Sequence, residues 1–508
     1  MTSESHLLLI RADAGPRHGF GHVMRCLALT QAAMAAGCRI VWVSAECPVS
    51  ARTRLSGEGL APVILDATPG SPEDAIATAA VAERVGADWI VLDGYHFDLD
   101  YQDRLTASGR PVLYLDDNGI FPRYPANRVL NQNPYAAAAM YHGHQDESLL
   151  LGPPFLLLRR EFCTPQARQR CRKEPTEPRR ILVTFGGCDG SRWTGRTLAA
   201  LSEIRDPILH VTVVIGSGNP CREAISAAAA ASPHTVILMD NPPDMAVLMR
   251  NADLAVAAAG TTTWELAAMG VPALVFPVAD NQRHIAETLH VLGVAQSLGW
   301  HETVKETEVA DAVAALLADS PRRSAMATAG RSLVDGHGAE RVVRELGGNV
   351  GKPELRPATL ADLTALWNLA NQPEVRQNSF SPDPIPFASH VRWFAARLAN
   401  PASRIHVLER NGRLLGQIRH DRQADGDSAE IDIAVGNMGR GQGLGRRLLT
   451  ETAALVCREL AVSALHATVF VGNLPSMELF RRCGFSETGT DIRDGREIVH
   501  FIWQPTLS

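Results

Sequence analysis

Short apolar runs alternate with helical stretches twice over in this chain, and that alternation limits its fold more than any other feature. Residues 7–10, 40–43, 89–92 and 112–115 read as buried strands, with a helix over 23–36. A second series follows at 181–185, 211–215, 236–239, 254–257 and 273–277. Uninterrupted apolar strands separated by helices predict a parallel sheet covered on both faces. Two Rossmann-like α/β domains are therefore expected, over residues 1–155 and 156–346. Gly152-Pro153-Pro154 breaks the pattern between them, and a charged stretch over 164–180 follows. The glycine-rich 347–353 segment reads as a linker. Beyond it the order changes to helices (361–370, 390–398), then strands (405–410, 415–419, 431–435), then a helix from 443. That order predicts an α+β domain over 354–508. A chain of 508 residues is too long for one core and fits about three domains.

Composition excludes several functions. A net charge of −6 leaves no electrostatic footprint for nucleic acid or an anionic membrane. The apolar run at 7–10 is too short for a signal-peptide core, and the low-charge stretch 254–279 is interrupted by Glu265 and by Gly270-Val271-Pro272. Nine cysteines without CxxC spacing fit neither a disulfide framework nor a zinc site. The two Asp-x-Asp triplets, 98–100 and 425–427, follow no nucleotide-loop strand. A cytoplasmic protein without a metal, a membrane anchor or a nucleic-acid partner is expected.

Three segments carry chemistry. The first, Arg11-Ala-Asp13-Ala-Gly15-Pro-Arg17-His18-Gly19-Phe-Gly21-His22-Val-Met-Arg25, leaves a strand and opens a helix. Its glycines allow close approach of a ligand, and the helix start offers free N–H groups to an anion. His22 on the first turn can act as a general base near neutral pH. A plain glycine turn before a helix accounts equally well for the spacing alone. The second comprises Gly186-Gly187-Cys188-Asp189, Gly260-Thr261-Thr262-Thr263-Trp264-Glu265 and Asp280-Asn281-Gln282. Such turns can hold a pyrophosphate on backbone N–H groups, and Glu265 can accept from a ribose diol. Taken singly, each also reads as a capped turn or a solvated acid.

The third segment is Val435 followed by Arg440-Gly441-Gln442-Gly443-Leu444-Gly445-Arg446-Arg447, with Asn473-Leu-Pro-Ser476-Met-Glu-Leu-Phe480 downstream. Consecutive N–H groups on the Arg-x-x-Gly-x-Gly turn can surround a diphosphate. Glu430, on the strand before it, is a candidate base acting through water, or an exposed strand residue.

The run RADAG…GFGHVMRCLAL, with Asp93-Gly94-Tyr95-His96, Asp116-Asp117, Asn131-Gln132-Asn133 and 158–162, resembles the pseudaminic-acid pathway hydrolases. Those enzymes remove UDP from UDP-2,4-diacetamido-2,4,6-trideoxy-β-L-altropyranose and share the fold of MurG-type glycosyltransferases. The resemblance implies a glycosyltransferase-B architecture with His22 activating water. It also implies a sugar site of Asp13, Gly19, Gly21, Arg25, Asp93 and Tyr95. The UDP site would comprise Gly186, Gly187, Asp189, Gly260, Thr261, Thr262, Glu265, Asp280, Asn281 and Gln282, with Cys188 in place of Ser or Thr.

Residues 354–503 resemble the GNAT acetyltransferases, which implies acetyl-CoA as cosubstrate on Val435, Arg440, Gly441, Gly443, Leu444, Gly445, Arg446, Asn473, Ser476 and Phe480. Many GNAT enzymes carry a proton-donating Tyr where this chain has Phe480. The segments 371–379 and 385–394 resemble N-acetyltransferases acting on the 4-amino group of a UDP-sugar. A bifunctional enzyme of nonulosonic acid synthesis is expected. The alternative is a glycosyltransferase with a non-water acceptor and a CoA-binding or regulatory GNAT module.

Overall fold

The computed structural model describes residues 6–15, 19–168, 179–187, 189–216, 218–242, 244–348 and 351–505. The chain divides into two compact units, 1–349 and 350–508.

The first unit holds two parallel sheets. Strands β1 (Leu7–Ala12), β2 (Arg39–Ser44), β3 (Val63–Ile64), β4 (Trp89–Asp93), β5 (Val112–Leu115), β6 (Arg128–Asn131) and β7 (Leu149–Leu151) run in the order β3-β2-β1-β4-β5-β6-β7. Successive residues serve opposite faces: Leu8 and Ile10 enter one apolar cluster, Leu7 and Leu9 another. Both faces are covered, which is why these strands lack polar alternation. The second sheet, β8 (Arg180–Thr184), β9 (His210–Ile215), β10 (Thr235–Asp240), β11 (Leu254–Ala258), β12 (Ala273–Phe276) and β13 (Gln296–Ser297), is ordered β10-β9-β8-β11-β12-β13. Each sheet reverses its strand order once, between β1 and β4 and between β8 and β11. Open α/β sheets bind ligands beyond the carboxyl ends of such strands.

One helix departs from the linear reading of 156–346 as a single body. Gly338–Leu346 returns to the first sheet, burying Ala339, Val342 and Leu346 in its core. The Trp89 indole donates to the Leu346 carbonyl at 3.0 Å. A Cβ on Gly338 would stand 2.2 Å from the Leu156 carbonyl oxygen, so only glycine admits this approach.

The second unit is a mixed sheet ordered β14-β15-β16-β17-β18-β20-β19. Its strands are β14 (Glu354–Pro357), β15 (Ser403–Arg410), β16 (Arg413–Arg422), β17 (Ser428–Val435), β18 (Ala464–Phe470), β19 (Ser486–Arg493) and β20 (Arg496–Trp503). The helix Leu444–Leu460 buries Leu448, Leu449 and Val456 against it. β17 and β18 pair in parallel only from Ser428–Ala464 to Glu430–His466. Beyond that they part, and a cavity of about 1520 Å³ lies among the residues that follow.

Among the described residues of this unit three histidines are buried, and His390 Nε2, His406 Nδ1 and His420 Nδ1 have no hydrogen-bond partner among them. Burial lowers His390 to about 4 and His420 to about 3, from an ordinary 6.5. Between those values the unfolded chain binds more protons than the folded one, so stability falls as pH falls. The second unit should lose on the order of 1 kcal/mol per pH unit for each ring from about pH 6.5 to about pH 4. Above pH 7 this slope should vanish. Hydrogen exchange in the helix Leu444–Leu460 measures it.

Candidate functional site

The ends of β1 and β4 carry the first site. The helix Gly21–Ala35 starts there and sets His22 and Arg25, three residues apart, on one face. The His22 Nδ1 lies 2.7 Å from Asp93 Oδ1. Because the carboxylate can only accept, the neutral ring carries its proton on Nδ1 and its lone pair on Nε2. Among the described residues Nε2 has no hydrogen-bond partner. Tyr95 meets the imidazole edge-on at 4.6 Å.

Arg25 organises the rest. Its Nε and one terminal nitrogen donate to both Asp93 oxygens at 2.7 and 2.6 Å, and the other terminal nitrogen donates to both Asp117 oxygens at 2.8 Å. Asp117 also accepts from the Tyr95 hydroxyl at 2.8 Å and from Asn133 at 3.1 Å. Burial alone would raise Asp93; Arg25 and then His22 outweigh it and hold the carboxyl well below the usual carboxylate range. It is therefore ionised at neutral pH, and a fixed anion behind Nδ1 would stabilise an imidazolium at His22.

Asp13 does not face this opening. It is fully buried, accepting from the backbone of Ala45 and Glu46 at 2.7 and 2.9 Å, with Arg11 at 2.8 Å and His96 at 2.9 Å on its oxygens. It ties β1 to the β2 loop and to His96, a structural task in place of the expected sugar contact. Gly19 takes φ +69 and closes the loop through a β-bridge to Gly15. Residues 16–18 of this loop lie outside the described residues. Asp117 and Asn133 received no individual role from the sequence; their signal is position, on the loops that leave β5 and β6 beside Asp93.

In the second sheet, Gly186 (φ +78) and Gly187 follow β8, and a Cβ on Gly216 would stand 2.4 Å from the Gly187 oxygen. Asp189 is engaged within the chain. Its carboxylate caps the helix Trp193–Ser202, accepting from the Trp193 and Thr194 N–H groups at 3.0 and 2.9 Å. Cys188 lies outside the described residues. Past β11, the Gly260 carbonyl accepts from the Thr263 hydroxyl at 2.6 Å, while Thr261 and Thr262 open the helix Thr262–Met269. Gln282 comes to this turn: a Cβ on Gly260 would meet its Nε2 at 3.5 Å. Asp280 pairs with Arg283 at 2.9 Å, and Asn281 is exposed. Glu265 is held by Arg159 at 3.0 Å, and burial pushes its carboxyl up against that pull. Arg159 also pairs with Glu161 at 2.9 Å. A ribose diol would have to share Glu265 with Arg159.

The cavity of the second unit is lined by Glu430, Val435, Arg440, Gly441, Gly443, Leu444, Gly445, Arg446, Asn473, Ser476 and Phe480. Gly441 and Gly443 take φ +73 and +72, and no side chain caps the helix that Gly443 opens, so its first N–H groups are left to a ligand. Asn473 spends its side-chain oxygen on the Ser476 N–H at 3.2 Å, capping Leu474–Arg482. Phe480 is 2 % exposed and stacks on Phe501 at 5.5 Å. Its ring is core material and holds no proton for a leaving thiolate.

Comparison with known proteins agrees with this division. The model of the acetyltransferase (GNAT) domain matches residues 354–486, and that of the glycosyltransferase family 28 C-terminal domain matches residues 181–341. The Bacillus subtilis acetyltransferase YwnH is 30 % identical over 141 residues, 27 % of this chain and 85 % of that protein. The second unit belongs to the GNAT acetyltransferase family. The first unit has the fold of MurG. The Acinetobacter baumannii MurG structure superposes with a TM-score of 0.50 at 19 % identity, covering 68 % of this chain and 100 % of that one. The spore coat polysaccharide biosynthesis protein SpsG of B. subtilis is 29 % identical over 46 % of this chain and 67 % of its own length. A Helicobacter pylori protein is 24 % identical over 45 % of this chain. It is described as a pseudaminic acid cytidylyltransferase and UDP-2,4-diacetamido-2,4,6-trideoxy-β-L-altropyranose hydrolase, and the match spans only 42 % of its length. The chain thus joins a unit with the MurG-like glycosyltransferase-B fold, similar over part of its length to SpsG and to that H. pylori protein, to a GNAT domain. Among the described residues no helix is long and apolar enough to cross a membrane, and no cluster of His, Cys, Asp and Glu could hold a metal ion.

Replacing Arg25 by Leu would leave the buried Asp93 and Asp117 carboxylates without the guanidinium they share. The first unit should lose about 3–5 kcal/mol, read as an earlier urea transition, whereas Arg160→Leu at the surface should move it by less than about 1 kcal/mol.

Proposed function

We propose that the chain performs two consecutive steps on one nucleotide sugar. The GNAT unit acetylates the 4-amino group of a UDP-linked amino sugar with acetyl-CoA. The first unit then hydrolyses the resulting UDP-2,4-diacetamido-2,4,6-trideoxyhexose to UDP and free sugar, as in pseudaminic-acid-type synthesis. The observation that carries the hydrolytic step is His22 with Nδ1 bonded to Asp93 at 2.7 Å and Nε2 open. Nε2 takes a proton from water as the oxygen attacks the anomeric carbon. The bond from that carbon to the UDP oxygen breaks on the opposite face, so the configuration inverts. Backbone N–H groups at the Gly260–Thr263 turn and the Gly186–Gly187 loop receive the charge developing on the diphosphate. Tyr95 and Arg25, with Asp117 between them, shape the sugar side of the opening.

The MurG fold supports a second reading, transfer of the sugar to a hydroxyl other than water, with the GNAT unit binding CoA for regulation. Following UDP and CoA release separately from the UDP-4-amino sugar and acetyl-CoA separates the two. Hydrolysis predicts both products without any acceptor. UDP release should fall about 10²–10⁴-fold in His22→Ala while CoA release is unchanged. UDP that appears only after an alcohol is added would establish transfer instead. Asp93→Asn should lower UDP release by a similar factor, because the amide no longer fixes the tautomer.

A further inference from the structure

With Phe480 closed into the core, the proton balance of acetyl transfer needs another path. An attacking ammonium must shed a proton before its nitrogen bonds to the thioester carbon, and a second leaves that nitrogen as the thiolate departs. Glu430 on β17 and Thr468 on β18 both line the cavity where the two strands part. The Thr468 hydroxyl lies 3.1 Å from Glu430 Oε1 and 3.3 Å from the Nδ1 of His500. His500 stands directly across from Thr468 on β20, half-buried and one strand further from the cavity. Three side chains on three adjacent strands thus form one hydrogen-bonded row from the cavity wall outward. The spacing follows from the sheet: Glu430 pairs with His466, so Thr468 is its diagonal neighbour on the same face.

We propose that Glu430, Thr468 and His500 form a proton relay for the GNAT reaction, with Glu430 as the base and His500 as the group that passes the proton on. The ammonium first loses a proton to water. The amine nitrogen then bonds to the thioester carbon, and the C–S bond breaks with the thiolate leaving to take a proton from water. One of the remaining N–H bonds breaks as a Glu430 O–H bond forms. That proton moves to the Thr468 oxygen as the hydroxyl gives its own to His500 Nδ1, and the imidazolium then releases a proton from Nε2 to water. No electrons are exchanged; Glu430 and Thr468 are regenerated directly, and His500, left with its proton on Nδ1, returns to the Nε2–H tautomer by proton exchange with water. Thr468 and His500 are positioning residues here, acting through Glu430. The same face also carries Asp432 on β17 and Arg419 on β16, which pair with each other at 3.4 Å, outside the row.

The relay rests on the acetyl-transfer reading, so its test has two arms. In the CoA-saturated full-length protein, the His500 ring signal, identified by its loss in His500→Gln, is titrated by NMR. Glu430→Gln should move its midpoint, and Thr468→Val, which keeps the β-branch, should shrink that response. In turnover with the UDP-4-amino sugar, Thr468→Val and His500→Ala should each lower kcat about tenfold or more. The KM for acetyl-CoA should stay near its original value, and added imidazole should restore part of the His500→Ala rate. An unmoved His500 midpoint in Glu430→Gln, or wild-type kcat in Thr468→Val, overturns the relay. A chain that releases no CoA from this amine overturns the substrate reading alone, and the ring titration still decides the relay.

Discussion

A single buried guanidinium holds the first site together. Arg25 lies between Asp93 at the end of β4 and Asp117 beyond β5, using four close hydrogen bonds on the two carboxylates. Burying charges is costly unless they are paired and hydrogen-bonded, and here the rigid fork of one cation hydrogen-bonds all four oxygens of the two carboxylates. The match fixes Asp93, Asp93 fixes the His22 tautomer, and Asp117 fixes Tyr95. A lysine could not do this, because a point charge cannot satisfy two carboxylates in fixed planes.

On the proposed reading the two units face a similar problem, moving a proton in a site that also receives a diphosphate, and solve it with different materials. In the first, strand ends at a point of reversed order bring a helix start, an imidazole and an acid together. In the proposed hydrolysis UDP is a good leaving group, and a base and a set of backbone donors suffice for it. In the second, the opening between β17 and β18 admits a thioester, and the leaving group is a thiolate. The usual tyrosine slot is filled by Phe480 against Phe501. Stacking there strengthens the core and leaves no titratable group in that slot; the proposed relay lies instead on the face of the sheet that Glu430 and Thr468 present.

Much of this was legible in the residues. Apolar strands and glycine turns foretold both parallel sheets, because burial on two faces leaves an unmistakable composition. His22, Gly260 and the 440–446 turn stand out because a loop that leaves a strand and opens a helix has a local signature. What failed to show was long-range. Asp13 looks like a ligand residue one step past β1, yet the backbone of the β2 loop claims it. Asp189 looks like a phosphate-loop acid but caps the next helix. Arg159 is 106 residues from Glu265, so no window reveals their pairing. The helix Gly338–Leu346 shows an apolar stripe that says it must pack, without saying on which sheet.

The hydrolytic account stands or falls on which bond breaks when UDP is released. Turnover in water enriched in ¹⁸O, followed by mass spectrometry of both products, reads this directly. Attack on the anomeric carbon by water deprotonated at His22 predicts the label in the free sugar and none in UDP. Label in the terminal phosphate of UDP would mean attack at phosphorus, and would contradict the role assigned to His22.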